Sequence, residues 1–190
     1  MKRLIDFLLA LICLVVFSPL FLICYVAIRI EDGNPVIFKQ QRIGKNGKPF
    51  YIYKFRSLTT HGGSKENLLI GEIKKKELTH IGKFLREHHL DELPQLWNVL
   101  IGDMAFVGPR PERKYYIDMI IKHDPRYELL YKLRPGVTSY ATLHNGYTDT
   151  IEKMLIRLEL DLDYLEHQSL VLDAKILIET FTNIIRGRKF

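Results

Sequence analysis

Between Leu4 and Ile28 the sequence is almost wholly apolar, interrupted only by Asp6 near its start and by Ser18-Pro19 near its middle. No other feature limits the fold as much, because a run of this kind must lie in a core or in lipid. As a straight helix its 25 residues reach about 37 Å at ~1.5 Å per residue, enough to cross a hydrocarbon layer of ~30 Å. Pro19 opposes a straight helix. It has no amide hydrogen to donate, and its ring meets the carbonyl of Val15 four residues earlier, so a break is expected at mid-depth. The Ser18 hydroxyl can satisfy a carbonyl that the break frees. Cations flank both ends, Lys2 and Arg3 before and Arg29 after, and this bias holds both ends on the cytoplasmic side. A re-entrant hairpin of two half-helices fits these features better than a spanning helix kinked at proline, which stays open as the alternative. A cleavable signal peptide does not fit, since the apolar run is too long and no Ala-x-Ala-like site follows it.

The rest of the 190 residues suits one globular unit, so the expected division is a membrane-embedded helix over 1–30 and a cytoplasmic domain over 31–190. The formal charge of +6 fits nucleic acid, anionic lipid or phosphorylated ligands about equally. No nucleic-acid-binding motif accompanies it, and Lys74-Lys75-Lys76, followed by Glu77, reads as a solvated helix face. Cys13 and Cys24 both lie in the apolar segment and cannot staple the polar remainder, which is consistent with a reducing compartment.

The polar part reads as α+β and mainly helical. Asn46-Gly47 between β-favouring runs signals a hairpin, and on its second strand the period of two puts Phe50, Ile52, Lys54 and Arg56 on one side. Two cations pointing together can clamp a phosphate, although a solvated strand end is the simpler reading. An amphipathic helix is expected from about Lys65 to Leu85, with Leu68, Leu69, Ile73, Leu78, Ile81 and Leu85 as its buried stripe. Further helices are expected around Glu112 to Lys122, Thr150 to Glu166 and Leu170 to Ile185. The last is too short to span and belongs in the core or at a membrane interface.

Chemistry points to Leu90-Asp91-Glu92-Leu93-Pro94-Gln95-Leu96-Trp97-Asn98. Adjacent carboxylates repel, so they persist most readily where a metal ion, an arginine or a helix N-terminus meets them. Asp91 has the chemistry of an N-cap and Pro94 is tolerated in a first turn, so the pair is expected at the start of a short helix. A cap that merely complements the dipole is the bland reading. Against it stand Arg86, His88 and His89 just before, and Pro109-Arg110-Pro111 just after, where two prolines pre-set the presentation of a guanidinium fork. A carboxylate can attack phosphorus if Mg²⁺ neutralises the phosphate oxygens, and a neighbouring carboxylate is a natural ligand for that ion. Zinc on His88 and His89 is disfavoured, because adjacent helical histidines point apart and no third ligand has suitable spacing.

At these residues the chain resembles the monotopic phosphoglycosyl transferases, the bacterial polyprenyl-phosphate sugar-1-phosphate transferases. The resemblance runs through Lys2-Arg3 with Asp6, Ser18-Pro19, Pro35 to Gln40, Arg42 to Gly47, Tyr53 to Ser57, Asp91 to Asn98, Gly102 to Met104 with Phe106 to Pro111, and Arg134 to Thr138. It implies that Asp91 attacks the β-phosphate of a UDP-sugar and expels UMP, and that polyprenyl (undecaprenyl) phosphate then takes the phosphosugar. It implies Glu92 as the Mg²⁺ ligand, with Lys54, Arg56, Arg86, Gln95, Asn98, Pro109, Arg110 and Pro111 in contact with substrate. Ser18 and Pro19 match the break of the family's re-entrant helix, and the place implied is the cytoplasmic face of the bacterial inner membrane, among lipid. The chain corresponds to the family's small form, and a homodimer is compatible with it.

One block departs from the pattern. Many members follow Arg134 to Thr138 with Gly-Trp-Gln-Val-Asn-Gly or close to it, whereas this chain reads Ser139-Tyr140-Ala141-Thr142-Leu143-His144-Asn145-Gly146. If this loop reads the sugar or the nucleotide base, specificity does not carry over, although the catalytic pair is untouched.

Overall fold

A computed structural model of the chain describes residues 1–59, 78–146, 148 and 150–186. The apolar segment forms two helices, α1 (Lys2–Val16) and α2 (Ser18–Asp32), bent by 60° at Phe17. Pro19 falls in the first turn of α2, where its missing donor costs nothing, and Ser18 Oγ donates to the Val15 carbonyl at 2.8 Å. Among the described residues no single helix is long and apolar enough to cross a membrane, but this bent pair together is. Its apolar side chains are unusually bare, Leu22, Ile23, Val15 and Leu4 all being more than 60% exposed.

The expected hairpin is present as β1 (Ile37–Ile43) and β2 (Pro49–Phe55), antiparallel, with Ile37 opposite Phe55 and Ile43 opposite Pro49. Five residues close it, and the two left-handed positions fall on Asn46 (φ 59°) and Gly47 (φ 70°), the residues that tolerate them best. Next come α3 (His80–Glu87), α4 (Gln95–Ile101), β3 (Ala105–Val107), α5 (Lys114–His123), β4 (Gly136–Thr138), α6 (Tyr140–Asn145), α7 (Ile151–His167) and α8 (Leu170–Ile185). Four of these starts were written in the sequence as hydroxyl caps. Thr79, Ser139, Thr150 and Ser169 each accept a backbone N–H three residues on.

Two expectations about helix starts need correction. Leu78 does not belong to a helix: it bridges Leu58 in an antiparallel pair, and the helix begins only after Thr79, whose Oγ1 accepts from the Gly82 amide at 2.8 Å. Leu68, Leu69 and Ile73, like Lys74 to Lys76, lie outside the described residues, while Leu85 is fully buried as expected. The second correction concerns Asp91 and is taken up with the site.

Among the described residues the core falls into four clusters, and the apolar segment enters two of them. Ala10 packs with Phe50, Ile52, Val99 and Met104, while Cys24 and Ile28 pack with Val36, Phe55 and Leu85. Packing therefore runs across residue 30. A third cluster joins α5 to α7 through Tyr116, Ile120, Leu158 and Leu162, and a fourth joins β3 to α7 and α8 through Val107, Tyr164 and Ile176. On α8, Ile176 is buried and Val171, Ile178 and Phe181 are exposed, so its apolar character faces outward as well as inward.

Beyond the sequence expectation, β3 and β4 form a two-stranded parallel pair, with Ala105 opposite Gly136 and Val107 opposite Thr138. The chains come very close there. A methyl placed on Gly108 would stand 2.3 Å from the Arg134 carbonyl oxygen, and one on Gly136 would stand 2.2 Å from the Gly108 nitrogen.

Candidate functional site

The site assembles where α3, β2 and α4 meet. Helix α3 ends at Glu87, and His89 then takes a left-handed conformation (φ 55°) that swings the chain into a single 3₁₀ turn, Leu90–Glu92. Asp91 therefore is not the N-cap of the next helix. Helix α4 starts at Gln95, with Pro94 in the cap position and no side-chain cap. Capping needs an extended residue immediately before the helix, whereas Asp91 lies inside a turn three residues too early. Its carboxylate is left free of the structural duty that the bland reading assigned to it.

Asp91 is buried, 8% exposed, and Glu92 beside it is paired with Lys54, whose Nζ donates to Oε1 at 2.5 Å. Lys54 is therefore inside the site and not at a solvated strand end. The two acids are driven apart electrostatically. Burial pushes the Asp91 carboxyl up, only partly offset by Lys54 and reinforced by the charge of Glu92. Burial acts the same way on Glu92, but Lys54 and Arg110 outweigh it and hold that carboxyl at about 2. One carboxylate is thus held as an anion, while burial disfavours the charged form of its neighbour.

Three of the expected contacts surround this pair. Lys54 touches it, Arg110 acts on Glu92 from the turn Pro109 to Pro111, and Arg86 approaches from the last turn of α3, where its Nε donates to Ser57 Oγ at 2.9 Å. The turn is held in place by Pro109, whose carbonyl accepts from the Gly136 amide at 2.9 Å. Gln95 is buried directly after the acidic turn.

Arg56 and Asn98 are placed elsewhere. Arg56 lies past the end of β2 and turns away from Lys54 to the end of α2, pairing with Asp32 at 3.0 Å and donating to the Asp32 and Gly33 carbonyls. It caps orphan helix carbonyls, so the two cations do not act as one clamp. Asn98 is fully buried and mimics a strand: its Oδ1 accepts from the Tyr53 amide at 3.1 Å and its Nδ2 donates to the Tyr51 carbonyl at 2.7 Å. It locks α4 onto β2, which carries Lys54.

Among the described residues no three His, Cys, Asp or Glu side chains gather as a metal cage. The donor set at hand is the acidic pair, and its chemistry suits Mg²⁺, which takes one or two carboxylates and leaves the remaining positions to phosphates and water. Glu92, held ionised, is the better donor of the two.

Sequence reading missed a second set of polar residues. Lys2 donates to the Val107 carbonyl at 3.0 Å and pairs with Asp173, which also accepts from the Tyr164 hydroxyl at 2.6 Å. Arg3 and Asp6 bond to backbone about 100 residues away. Their signal was available in part, since a lone aspartate in an apolar run needs a partner. Likewise Arg157 and Asp161 fall on the apolar stripe of α7, where Arg157 pairs with Glu112 at 2.8 Å.

The departing block Ser139 to Gly146 forms α6, capped by Ser139 and ended by Gly146 at φ 59°.

The family described as bacterial sugar transferase matches residues 1–187. A UDP-N-acetylgalactosamine-undecaprenyl-phosphate N-acetylgalactosaminephosphotransferase of Aeromonas hydrophila is 37% identical over 98% of this chain and 44% of its own length. A UDP-glucose:undecaprenyl-phosphate glucose-1-phosphate transferase of Klebsiella pneumoniae is 40% identical over 98% of the chain and 40% of its own length. The chain thus spans about two-fifths of these two relatives. It covers 98% of the exopolysaccharide production protein PSS of Rhizobium leguminosarum bv. phaseoli, at 34% identity over the whole chain. With a family match over almost its full length, the chain belongs to the bacterial sugar transferases.

Proposed function

We propose that the protein transfers a sugar 1-phosphate from a UDP-sugar to undecaprenyl phosphate, through a covalent intermediate on Asp91. The observation that carries this reading is the asymmetric acidic pair. Asp91 is buried and freed from capping, and Glu92 is held ionised by Lys54 and Arg110. The activities for which the Aeromonas and Klebsiella relatives are named supply the substrate classes, while their sugars differ.

In the first half-reaction an Asp91 oxygen forms a bond to the β-phosphorus of the UDP-sugar. The bond from that phosphorus to the bridging oxygen breaks, and UMP leaves with the electron pair. In the second, an oxygen of undecaprenyl phosphate attacks the same phosphorus, the bond to Asp91 breaks, and the diphosphate-linked sugar departs. Mg²⁺ bound through Glu92 and the substrate phosphates would supply charge neutralisation. Lys54, Arg86 and Arg110 offer cations to the phosphate oxygens, Gln95 lies next to the acidic turn, and Asn98 acts by holding α4 on β2. Pro109 and Pro111 fix the Arg110 turn. The α1–α2 pair is read as a re-entrant hairpin broken at Ser18 and Pro19, with both ends cytoplasmic. It brings a soluble donor and a lipid acceptor to one carboxylate at the inner-membrane surface.

The experiment is incubation of the purified protein with UDP-sugars labelled in the sugar, with Mg²⁺ and without lipid acceptor. Stoichiometric UMP release with label retained on protein, lost in Asp91→Asn, is expected. Failure of every member of a broad panel to label the wild type would overturn the covalent route. For topology, cysteines introduced at Ile30 and ahead of Met1 in a Cys13→Ser, Cys24→Ser background should both react only from the cytoplasmic side. Labelling of either from outside would restore a spanning helix.

A further inference from the structure

Charges at the start of a membrane segment normally face headgroups and water. In this chain they face protein. Arg3 donates through Nη1 to the Val99 carbonyl at 2.5 Å and through Nη2 to the Leu100 carbonyl at 2.6 Å. Those carbonyls belong to the last turn of α4, where a helix leaves its acceptors without internal partners. Lys2, beside it, reaches the Val107 carbonyl and Asp173, and Asp6, one turn further, accepts from the Phe106 amide at 3.3 Å. The same surface of α1 is closed by Ala10, which is fully buried against Val99 and Met104. Helix α4 is seven residues long, about 10 Å at ~1.5 Å per residue, and its other end follows Asp91 by four positions. The apolar pair and the acidic turn are therefore connected by one short rigid strut gripped at its far end by Arg3.

We propose that Arg3, backed by Lys2 and Asp6, is a positioning residue that sets the depth of α4, and with it Asp91, relative to the bilayer. This rests on the reading under Proposed function for the bilayer placement of α1 and α2 and for the step it serves, the attack by the lipid-linked phosphate. A soluble UDP-sugar can follow Asp91 to any depth. The acceptor phosphate is held at headgroup level, and a misplacement of ~1 Å can cost about 10²-fold in rate. A change in depth should therefore fall on the second half-reaction and spare the first.

Trp97 is the only tryptophan of the chain and stands half exposed on α4, so it reports the depth of this helix without any reference to activity. The test uses the full chain in nanodiscs containing lipids brominated at successive acyl positions. Arg3→Gln removes both donors and the charge. Arg3→Lys keeps the charge but loses the planar fork that spans two carbonyls. In both variants the Trp97 quenching profile should be displaced, UMP release without acceptor should stay within about twofold, and kcat/KM for undecaprenyl phosphate should fall about 10- to 100-fold. An unchanged quenching profile in Arg3→Gln overturns the proposal. So does an equal fall of both half-reactions, which marks general loss of structure, and so does wild-type behaviour of Arg3→Lys, which reduces the residue to a topogenic charge. If the wild type releases no UMP, the functional reading fails while the quenching measurement still decides the positioning.

Discussion

Replacing Lys54 by Met separates the electrostatics of the acidic pair from every question about substrate. The Glu92 carboxyl is held at about 2 against an ordinary value of 4.5. That displacement corresponds to ~3 kcal/mol at ~1.36 kcal/mol per pH unit. Both side chains of the pair are only about a fifth exposed, 20% and 22%, so solvent screening removes little of it. Breaking a buried pair independently suggests a cost of ~3–5 kcal/mol. The dependence on pH follows from the sign. The folded pKa lies below the unfolded one, so the unfolded state binds more protons between them, and the stabilisation is complete above about pH 5.5 and lost as pH falls towards 2. About 2 kcal/mol of it should be gone by pH 3. In Lys54→Met burial and the Asp91 charge carry the Glu92 pKa upward, so that contribution is absent at neutral pH. Denaturant unfolding of wild type and variant in bicelles, followed by Trp97 fluorescence, should show a gap of ~3 kcal/mol at pH 7 that narrows to ~1 kcal/mol at pH 3. In a Glu92→Gln background the same substitution should cost less than ~1 kcal/mol. A gap that is flat from pH 7 to pH 3, or that survives in the Gln background, would refute the reasoning.

Asn98→Ala strands the Tyr53 amide and the Tyr51 carbonyl, at ~1–3 kcal/mol each, so unfolding should lose ~2–5 kcal/mol while KM for the UDP-sugar is unchanged in the folded fraction. A raised KM at unaltered stability would make Asn98 a substrate contact instead. Asp91→Asn removes a carboxylate whose charged form is disfavoured by burial, a cost incurred above its raised pKa and relieved as pH falls through it. Thermal unfolding should therefore show a higher Tm than wild type at pH 7–8, with the difference closing in acid. Gly82→Ala sets a methyl 2.1 Å from the Ser57 carbonyl oxygen, which also accepts from the Thr79 amide, so a loss of ~3 kcal/mol in chemical denaturation is expected.

What the sequence disclosed was local. The Ser18-Pro19 break, the Asn46-Gly47 closure and the hydroxyl-capped start of α7 depend on a few neighbouring residues, and each appears where those residues direct. Leu170–Ile185 is likewise readable as a helix from its own composition. Tertiary partners decided the rest. Asp91 resembles a cap in one dimension, but the left-handed turn at His89, unfavourable for a histidine by itself, places it in a different turn. Arg56 continues the period of Lys54 along the strand, yet the end of α2 claims it because the helix carbonyls there lack N–H donors. Lys2, Arg3 and Asp6 carry the sequence signature of a membrane flank, and only the folded chain reveals backbone partners about 100 positions away. Of the site itself, the acidic pair and the Arg110 turn were legible as residue types, and the pairing of Lys54 with Glu92 was not.

The contact between Gly108 and Gly136 bears on how such a chain can change over generations. Neither position has room for even a methyl, and the atoms in the way are backbone, so a substitution at one cannot be absorbed by a rotamer change at the other. The turn that presents Arg110 and the strand Gly136–Thr138 must be inherited as one unit. Past that unit the crowding ends: His144 is exposed, and a methyl on Gly146 would meet nothing within 4 Å, so only its backbone angle (φ 59°) still favours glycine there. A saturation library selected for folding should return glycine alone at 108 and 136 and a mixture at 144. Drift is thereby channelled into α6, which can vary without passing through the arginine turn.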